Sequence, residues 1–267
     1  MLKRGLILFL IVSLALVFTG CLNIHIGDGQ MVTGNGEMTS KTVPVEQDVT
    51  GLDNMGSIDV VIDPSLDGEA VIEGESNIID LVAIEQNANG ALTVAFKSNV
   101  SVSMSKGVTV RIPAINGGDI KSTGSGSIKL VSGEILKGDS FRVSAEGSGD
   151  ITLTLDTANM EARVGGSGSL NLTAVSEQMR AGIFGSGRIL MTGYADSADI
   201  SVEGSGDFDG FEYALIDASV SGTGSGNINV NVSGSLSGKI SGSGNVVYDG
   251  DPSVNMTASG SGNVTKK

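Results

Sequence analysis

FRVSAEGSGDITLTL (141–155), MEARVGGSGSLNLTA (160–174) and MRAGIFGSGRILMTG (179–193) are three versions of one unit. Each is centred on Gly-Ser-Gly, and that tripeptide occurs eight times. Its glycines are Gly124 and Gly126, Gly147 and Gly149, Gly166 and Gly168, Gly185 and Gly187, Gly204 and Gly206, Gly224 and Gly226, Gly242 and Gly244, and Gly260 and Gly262. Successive copies start 23, 19, 19, 19, 20, 18 and 18 residues apart. So regular a period marks one structural unit stacked on copies of itself.

Around each tripeptide, apolar and polar residues alternate. Val143, Ala145, Gly147, Gly149, Ile151, Leu153 and Leu155 fall on one face, as do Ile200, Val202, Gly204, Gly206 and Phe208. Period-two alternation identifies strands with one buried face. The phase places both glycines of every motif inward, at tight corners, with the serine pointing out. One coil of about 19 residues holds two or three short strands. It cannot bury its apolar side alone, but a stack can. The expected fold is all-β: a right-handed parallel β-solenoid whose repeats run from about 118 to 264. A sandwich of hairpins has no need of one tripeptide at a fixed period. A parallel stack does, because each corner must superpose on the one below.

Stacking turns equivalent positions into columns. The residue after each motif reads Ser127, Asp150, Ser169, Arg188, Asp207, Asn227, Asn245 and Asn263. Asn227, Asn245 and Asn263 are expected to form an amide ladder, and Arg188 to meet Asp207. The region upstream is β-rich, with strands at 57–63, 70–74, 91–96 and 108–112. It has one short helix expected over NIIDLVAIE (77–85), capped by Asn77 with Ile78, Leu81 and Val82 on one face. Residues 42–264 read as a single domain.

The N-terminus reads as an export signal over residues 1–20. Lys3 and Arg4 precede an apolar run from Leu6 to Phe18, too short to span a bilayer comfortably. Cys21, the only cysteine, follows at once. Val17-Phe18-Thr19-Gly20-Cys21 resembles the lipobox of prokaryotic lipoproteins, with Phe18 where leucine is usual. The resemblance implies a diacylated Cys21 at the mature N-terminus and a membrane lipid anchor. Leu22, not aspartate, next to it points to outer-membrane sorting in a cell with two membranes. Residues 21–41 lack a sustained pattern and read as a flexible tether. The whole chain carries a net charge of −14, and loss of Lys3 and Arg4 makes the mature form more negative. Its charge gives it no attraction for nucleic acid.

Further residues carry a resemblance to a family. Gly51-Leu52, SIDVVID (57–63), AVIEGESNIIDLV (70–82), NGALTV (89–94) and VTVRIPAI (108–115) lead into the row of GSG corners, with Gly226-Asn227-Ile228 among them. In this order the chain resembles the head GIN domain family, described as putative auto-transporter adhesins, over roughly residues 43–264. The resemblance implies a right-handed β-helical domain on a cell-surface or periplasmic protein. It assigns no binding residues.

Little else points to catalysis. His25, the sole histidine, lies in the tether, so no serine triad can be assembled. No set of cysteines and histidines suits zinc, and no cofactor or metal is expected. Asp150 and Asp207 share a column, near Glu146 and Glu203, which raises a polysaccharide-acting enzyme as the alternative. Two intervening coils put these aspartates roughly 14 Å apart, beyond the 5–9.5 Å of paired catalytic carboxyls. Asp207-Phe208-Asp209-Gly210 resembles a calcium loop only in part. The function expected is a non-catalytic adhesion or binding module of the cell envelope, with a surface protein, a glycan or another copy of itself as partner. A purely structural envelope lipoprotein is the other alternative. Lys266 and Lys267 are expected to guard the last strand edge against association, the alternative being that a second subunit or the N-terminal strands folding back cover it.

Overall fold

The structure, a computed structural model, describes residues 30–46 and 48–267, with Gln30 described by its backbone alone. The export signal, Cys21 and His25 lie outside the described residues. The N-terminal third contains β1 (Gln30–Thr33), β2 (Met38–Pro44), β3 (Val49–Asn54), β4 (Asp59–Ile62), β5 (Glu69–Glu75), β6 (Val82–Gln86), β7 (Ala91–Phe96), β8 (Val100–Ser103) and β9 (Thr109–Ile112). The repeats supply β10 (Ile115–Ser122), β11 (Ile128–Leu130), β12 (Leu136–Ala145), β13 (Ile151–Val164), β14 (Ser169–Ile183), β15 (Arg188–Gly204), β16 (Asp207–Gly224), β17 (Ile228–Gly242), β18 (Val246–Asp249), β19 (Ser253–Gly260) and β20 (Val264–Lys266).

From β10 onward every pairing is parallel and joins one coil to the next, so the repeats form a β-solenoid. The register is close to the sequence period: Ile151 pairs with Leu170, Leu170 with Ile189, and Ile189 with Phe208. This builds an unbroken apolar column. Val110, Val60, Ile128, Ile151, Leu170, Ile189, Phe208, Ile228 and Val246 are all at most 1 % exposed, with Val264 half-buried at the top.

The eight GSG coils rest on two further layers in an order the chain does not follow. β10 and β11 stack on β3 and β4, which stack in turn on β7 and β9. The chain therefore lays its second layer first, passes beneath it, and only then climbs. Gly56-Ser57-Ile58 is a corner like the others. A Cβ on Gly124 would lie 1.9 Å from the Gly56 carbonyl oxygen, and one on Gly126 1.9 Å from that of Ile58. The underside is closed by antiparallel strands. β5 pairs with β9 and β2 with β5, while β6 pairs with β7.

Two expectations are corrected here. Residues 77–85 are not a helix. Ile79–Leu81 make one turn of 3-10 helix with no side-chain cap, and Val82–Gln86 are β6. Asn77 instead bonds the Asn35 N–H and the Thr33 carbonyl. The edge of β7 draws Val82, Ala83 and Ile84 into a strand, where β-branched side chains fit well. Residues 30–41 of the expected tether are also strand-forming: β1 pairs with β8, and β2 closes the base.

At each corner the serine N–H and the second glycine N–H both donate to the first glycine's carbonyl one coil below. For Ser148 and Gly149 on Gly124 the distances are 3.0 and 3.2 Å, and for Ser205 and Gly206 on Gly185 both are 3.0 Å. Such close approach of backbone to backbone leaves no room for a Cβ. The inward reading holds for the second glycine of the motif, which is buried in seven of the eight copies and half-buried at Gly244. It is corrected for the first glycine, which is half-buried or exposed and needs to be bare for the carbonyl beneath it. Gly204, Gly224, Gly242 and Gly260 also have φ between +105° and +120°, a conformation L side chains rarely adopt.

Candidate binding face

The strands before and after each corner point alternate residues outward, giving columns that run up the stack. One column reads Asp119, Arg142, Glu161, Arg180, Asp199, Ser219 and Ser237. Its charges alternate in sign. Arg142 donates to Asp119 at 3.2 Å and to Glu161 at 2.7 Å, and Arg180 approaches Asp199 at 3.8 Å. Arg163, on the neighbouring column, also holds Glu161, at 2.5 Å. The hydrogen bond from Arg142 leads in holding the Glu161 carboxyl below the usual range, with Arg163 adding to it. The Arg180–Asp199 pair is more open and its heads stand mostly in water, so it is free to exchange partners.

An exposed aromatic lies beside this ladder. Phe184 is 50 % exposed. Its ring covers Gly182, where a Cβ would sit 2.9 Å from Cε2. Glycine at 182 thus opens the space in which the ring lies flat. A shallow groove of about 270 Å³ follows, walled by Phe184, Arg163, Arg180 and Asp199 and floored by Ala181 and Gly182. Grooves of about 280 and 190 Å³ continue it along the same columns, sharing Arg180. The face therefore offers one aromatic plane, two cations, two anions and the hydroxyls of Ser201, Ser219 and Ser221. It can stack on a ring or sugar and hydrogen-bond to polar groups.

The post-corner column lies on the other side of the turn. Asp207 accepts from the Asn227 backbone N–H at 2.9 Å and from its Nδ2 at 3.0 Å. Asn227 does the same for Asn245, at 3.3 and 3.1 Å. Asn245 accepts the Asn263 N–H at 3.2 Å, while the Asn263 amide turns to the Ser261 carbonyl. The ladder satisfies corner N–H groups. Asp59 and Asp150 do the same for Ser127 and Ser169. Arg188 meets Asp207 at 3.8 Å. Asp150 and Asp207 stay three layers apart, separated by Ser169 and Arg188. Among the described residues no three His, Cys, Asp or Glu side chains are grouped to hold a metal ion.

The alternating ladder and Phe184 were not singled out from sequence. Their signal is present: acid, base, acid, base, acid at about the corner period, from Asp119 to Asp199.

The head GIN domain profile, described as "Putative auto-transporter adhesin", matches residues 48–252. The chain belongs to that family. Among solved structures it is similar to a putative adhesin from Parabacteroides merdae (TM-score 0.82, 24 % identity, 89 % of this chain and 99 % of that one). A putative adhesin from Parabacteroides distasonis matches with TM-score 0.79 and 27 % identity, over 89 % of this chain and 100 % of that one. A protein from the same organism described as a putative lipid binding protein has TM-score 0.79 and 24 % identity over the same shares. No curated protein matches the sequence.

Proposed function

We propose that this protein is a cell-envelope lipoprotein that acts as a non-catalytic binding or adhesion module, using the face around Phe184 to contact a surface protein or glycan. The observation that carries the reading is the half-exposed Phe184 ring set beside the paired charges of the column from Arg142 to Asp199 and over a groove in the coil surface. A large apolar side chain kept in water beside polar groups is what a contact surface needs. Membership of an adhesin-type family supports a surface or extracytoplasmic location. No helix among the described residues is long and apolar enough to cross a membrane, and Cys21 would supply the anchor.

A binding screen of the lipid-free chain from Leu22 onward, against envelope glycans and surface proteins, tests the reading. Phe184→Ala is expected to weaken the strongest interaction by about tenfold or more, as aromatic anchors do, with an unchanged melting curve. Unaltered binding by this variant would remove the face from the mechanism. Product analysis in the same wells separates a binder from a polysaccharide-degrading enzyme. For the anchor, Cys21→Ser is expected to release the protein from the membrane fraction or to block its processing. A variant that sediments with membranes as fully as the parent would rule out lipidation at Cys21.

A further inference from the structure

The two ends of the solenoid differ. At the base, β5, β2 and β6 cover the lowest layer, and Ile78 and Ile79 are buried beside them. At the tip, β19 pairs only with β17 and β20 only with β18. Among the described residues nothing pairs with their outer edges. The core is open there too. Leu236 is fully buried, but Val254, stacked on it, is 42 % exposed, and Ala258, stacked on buried Ile240, is also exposed.

The chemistry of the tip is unusual for so acidic a chain. β19, SVNMTASG, has no charged residue. Lys266 pairs with Asp251, and Lys267 with Asp249 at 3.7 Å. Lys267 also lies 4.2 Å above the Phe211 ring. These lysines, expected to guard the edge, are paired with acids of the tip itself, so their charge is offset locally. The tip is locally neutral, partly apolar, and edged with strand backbone.

We infer that the tip is the docking surface for a second copy of this chain, joined tip to tip across a two-fold axis. Strand β19 of each copy runs antiparallel to its mate. A neutral, self-complementary edge meets itself without the repulsion that its acidic flanks would cause. Covering Val254 and Ala258 closes both open cores at once. A two-fold pairing uses the same tip on both copies and closes on itself, so association through this surface stops at two. Each solenoid has ten layers, and the described chain enters at β1, beside the base. Its tip thus stands roughly 43 Å from the layer nearest the anchor. In a tip-to-tip pair the two bases point apart, so this geometry links two opposed surfaces. This last step rests on the anchored reading proposed above; the pairing itself does not.

Sedimentation of the lipid-free chain from Leu22 onward tests the pairing. A monomer–dimer equilibrium is expected, with the dimer populated as the concentration rises to about 100 µM. Val254→Lys with Thr257→Lys, both at exposed positions, is expected to give monomer with an unchanged circular dichroism spectrum and, at a dilution where the parent is also monomeric, an unchanged melting curve. Like charges would then crowd the two-fold axis. A monomeric parent, or a variant that still dimerises, overturns the proposal. Vesicles carrying nickel-chelating lipid and the N-terminally tagged parent are expected to cluster, and those carrying the variant to stay apart. Dimers in solution without clustering overturn the bridging of two surfaces. The engineered tag replaces Cys21, so failure of lipidation shows only in the membrane-fraction assay and cannot be mistaken for failure of the tip.

Discussion

Replacing Gly187 with valine is expected to destabilise the protein by about 3–5 kcal/mol, the upper range for a core overpacking defect. A Cβ at this position would lie 2.3 Å from the Gly168 carbonyl oxygen and 2.4 Å from Cγ1 of Val164. Neither can withdraw cheaply. The carbonyl belongs to the stacked corner below, and Val164 fills the space that the glycine leaves inside the turn. The same geometry recurs at Gly206 over Ile183 and at Gly226 over Val202, so relief by local shift would have to pass through several coils. Gly185→Val is expected to cost less. Its nearest contact, the Gly166 carbonyl, is 2.7 Å away, and the position is half-buried. Ser186→Ala, exposed on the corner's outside, is expected to fall within about 0.5 kcal/mol of the parent. Urea unfolding midpoints measure all three. Equal midpoints for the valine variant at 187 and the alanine variant at 186 would refute the corner packing.

The period and the alternation make the coil legible in the sequence, because a parallel stack repeats its constraints at every layer. Glycine is demanded wherever backbone meets backbone, and so the corner announces itself eight times. The base could not be read the same way. Its corner, Gly56-Ser57-Ile58, lacks the second glycine and so does not show as a copy of the tripeptide, although Asn54 Nδ2 donates across it to the Ile58 carbonyl at 2.7 Å much as Ser122 Oγ does to Gly126 one coil above, at 3.1 Å. The layer order at the base is set by pairings between distant segments, which no local pattern records. Val82 to Gln86 show the same limit, because a neighbouring strand edge overrode a helix-like spacing. One irregularity was visible as a number without a meaning. The interval of 20 after Gly204 reflects a bulge in β16, where the register slips between Leu190 and Thr192. The slip accompanies a Tyr213 that is turned into the core, fully buried, with its hydroxyl 3.0 Å from Ser176 Oγ. The outward columns were partly legible: the asparagine ladder was aligned from sequence, but the charged ladder on the other side of the corner needed the register to be seen.

The closed base depends on one buried carboxylate, and Glu75→Gln is expected to loosen it in a pH-dependent way. Glu75 is fully buried and accepts hydrogen bonds only from neutral donors: the Gly36 N–H at 2.6 Å, the Ser105 hydroxyl at 2.7 Å, and the N–H groups of Ser105 and Lys106 at 3.2 and 3.5 Å. These tie the turn between β1 and β2 to the loop before β9. The Ser105 hydroxyl leads, with the Gly36 and Lys106 N–H groups behind it, in holding the Glu75 carboxyl below its ordinary value of 4.5. A depressed carboxyl contributes stability that is fully present above its unfolded-state pKa and lost as pH falls through the folded one. Glutamine keeps the shape but brings an NH2 donor to a site that already has four donors, and it carries no charge to titrate. The variant is therefore expected to melt earlier than the parent at pH 7, with hydrogen exchange rising first in residues 33–37 and 103–106. Below pH 4.5 the parent loses what the variant never had, so the gap between their melting temperatures narrows. Asp63, held low first by Ser65 and then by Arg111, titrates in both proteins and cancels in the comparison. Melting curves at pH 7 and pH 3.5 decide the matter. A gap that stays the same at both would mean that the charge on Glu75 does not hold the base closed.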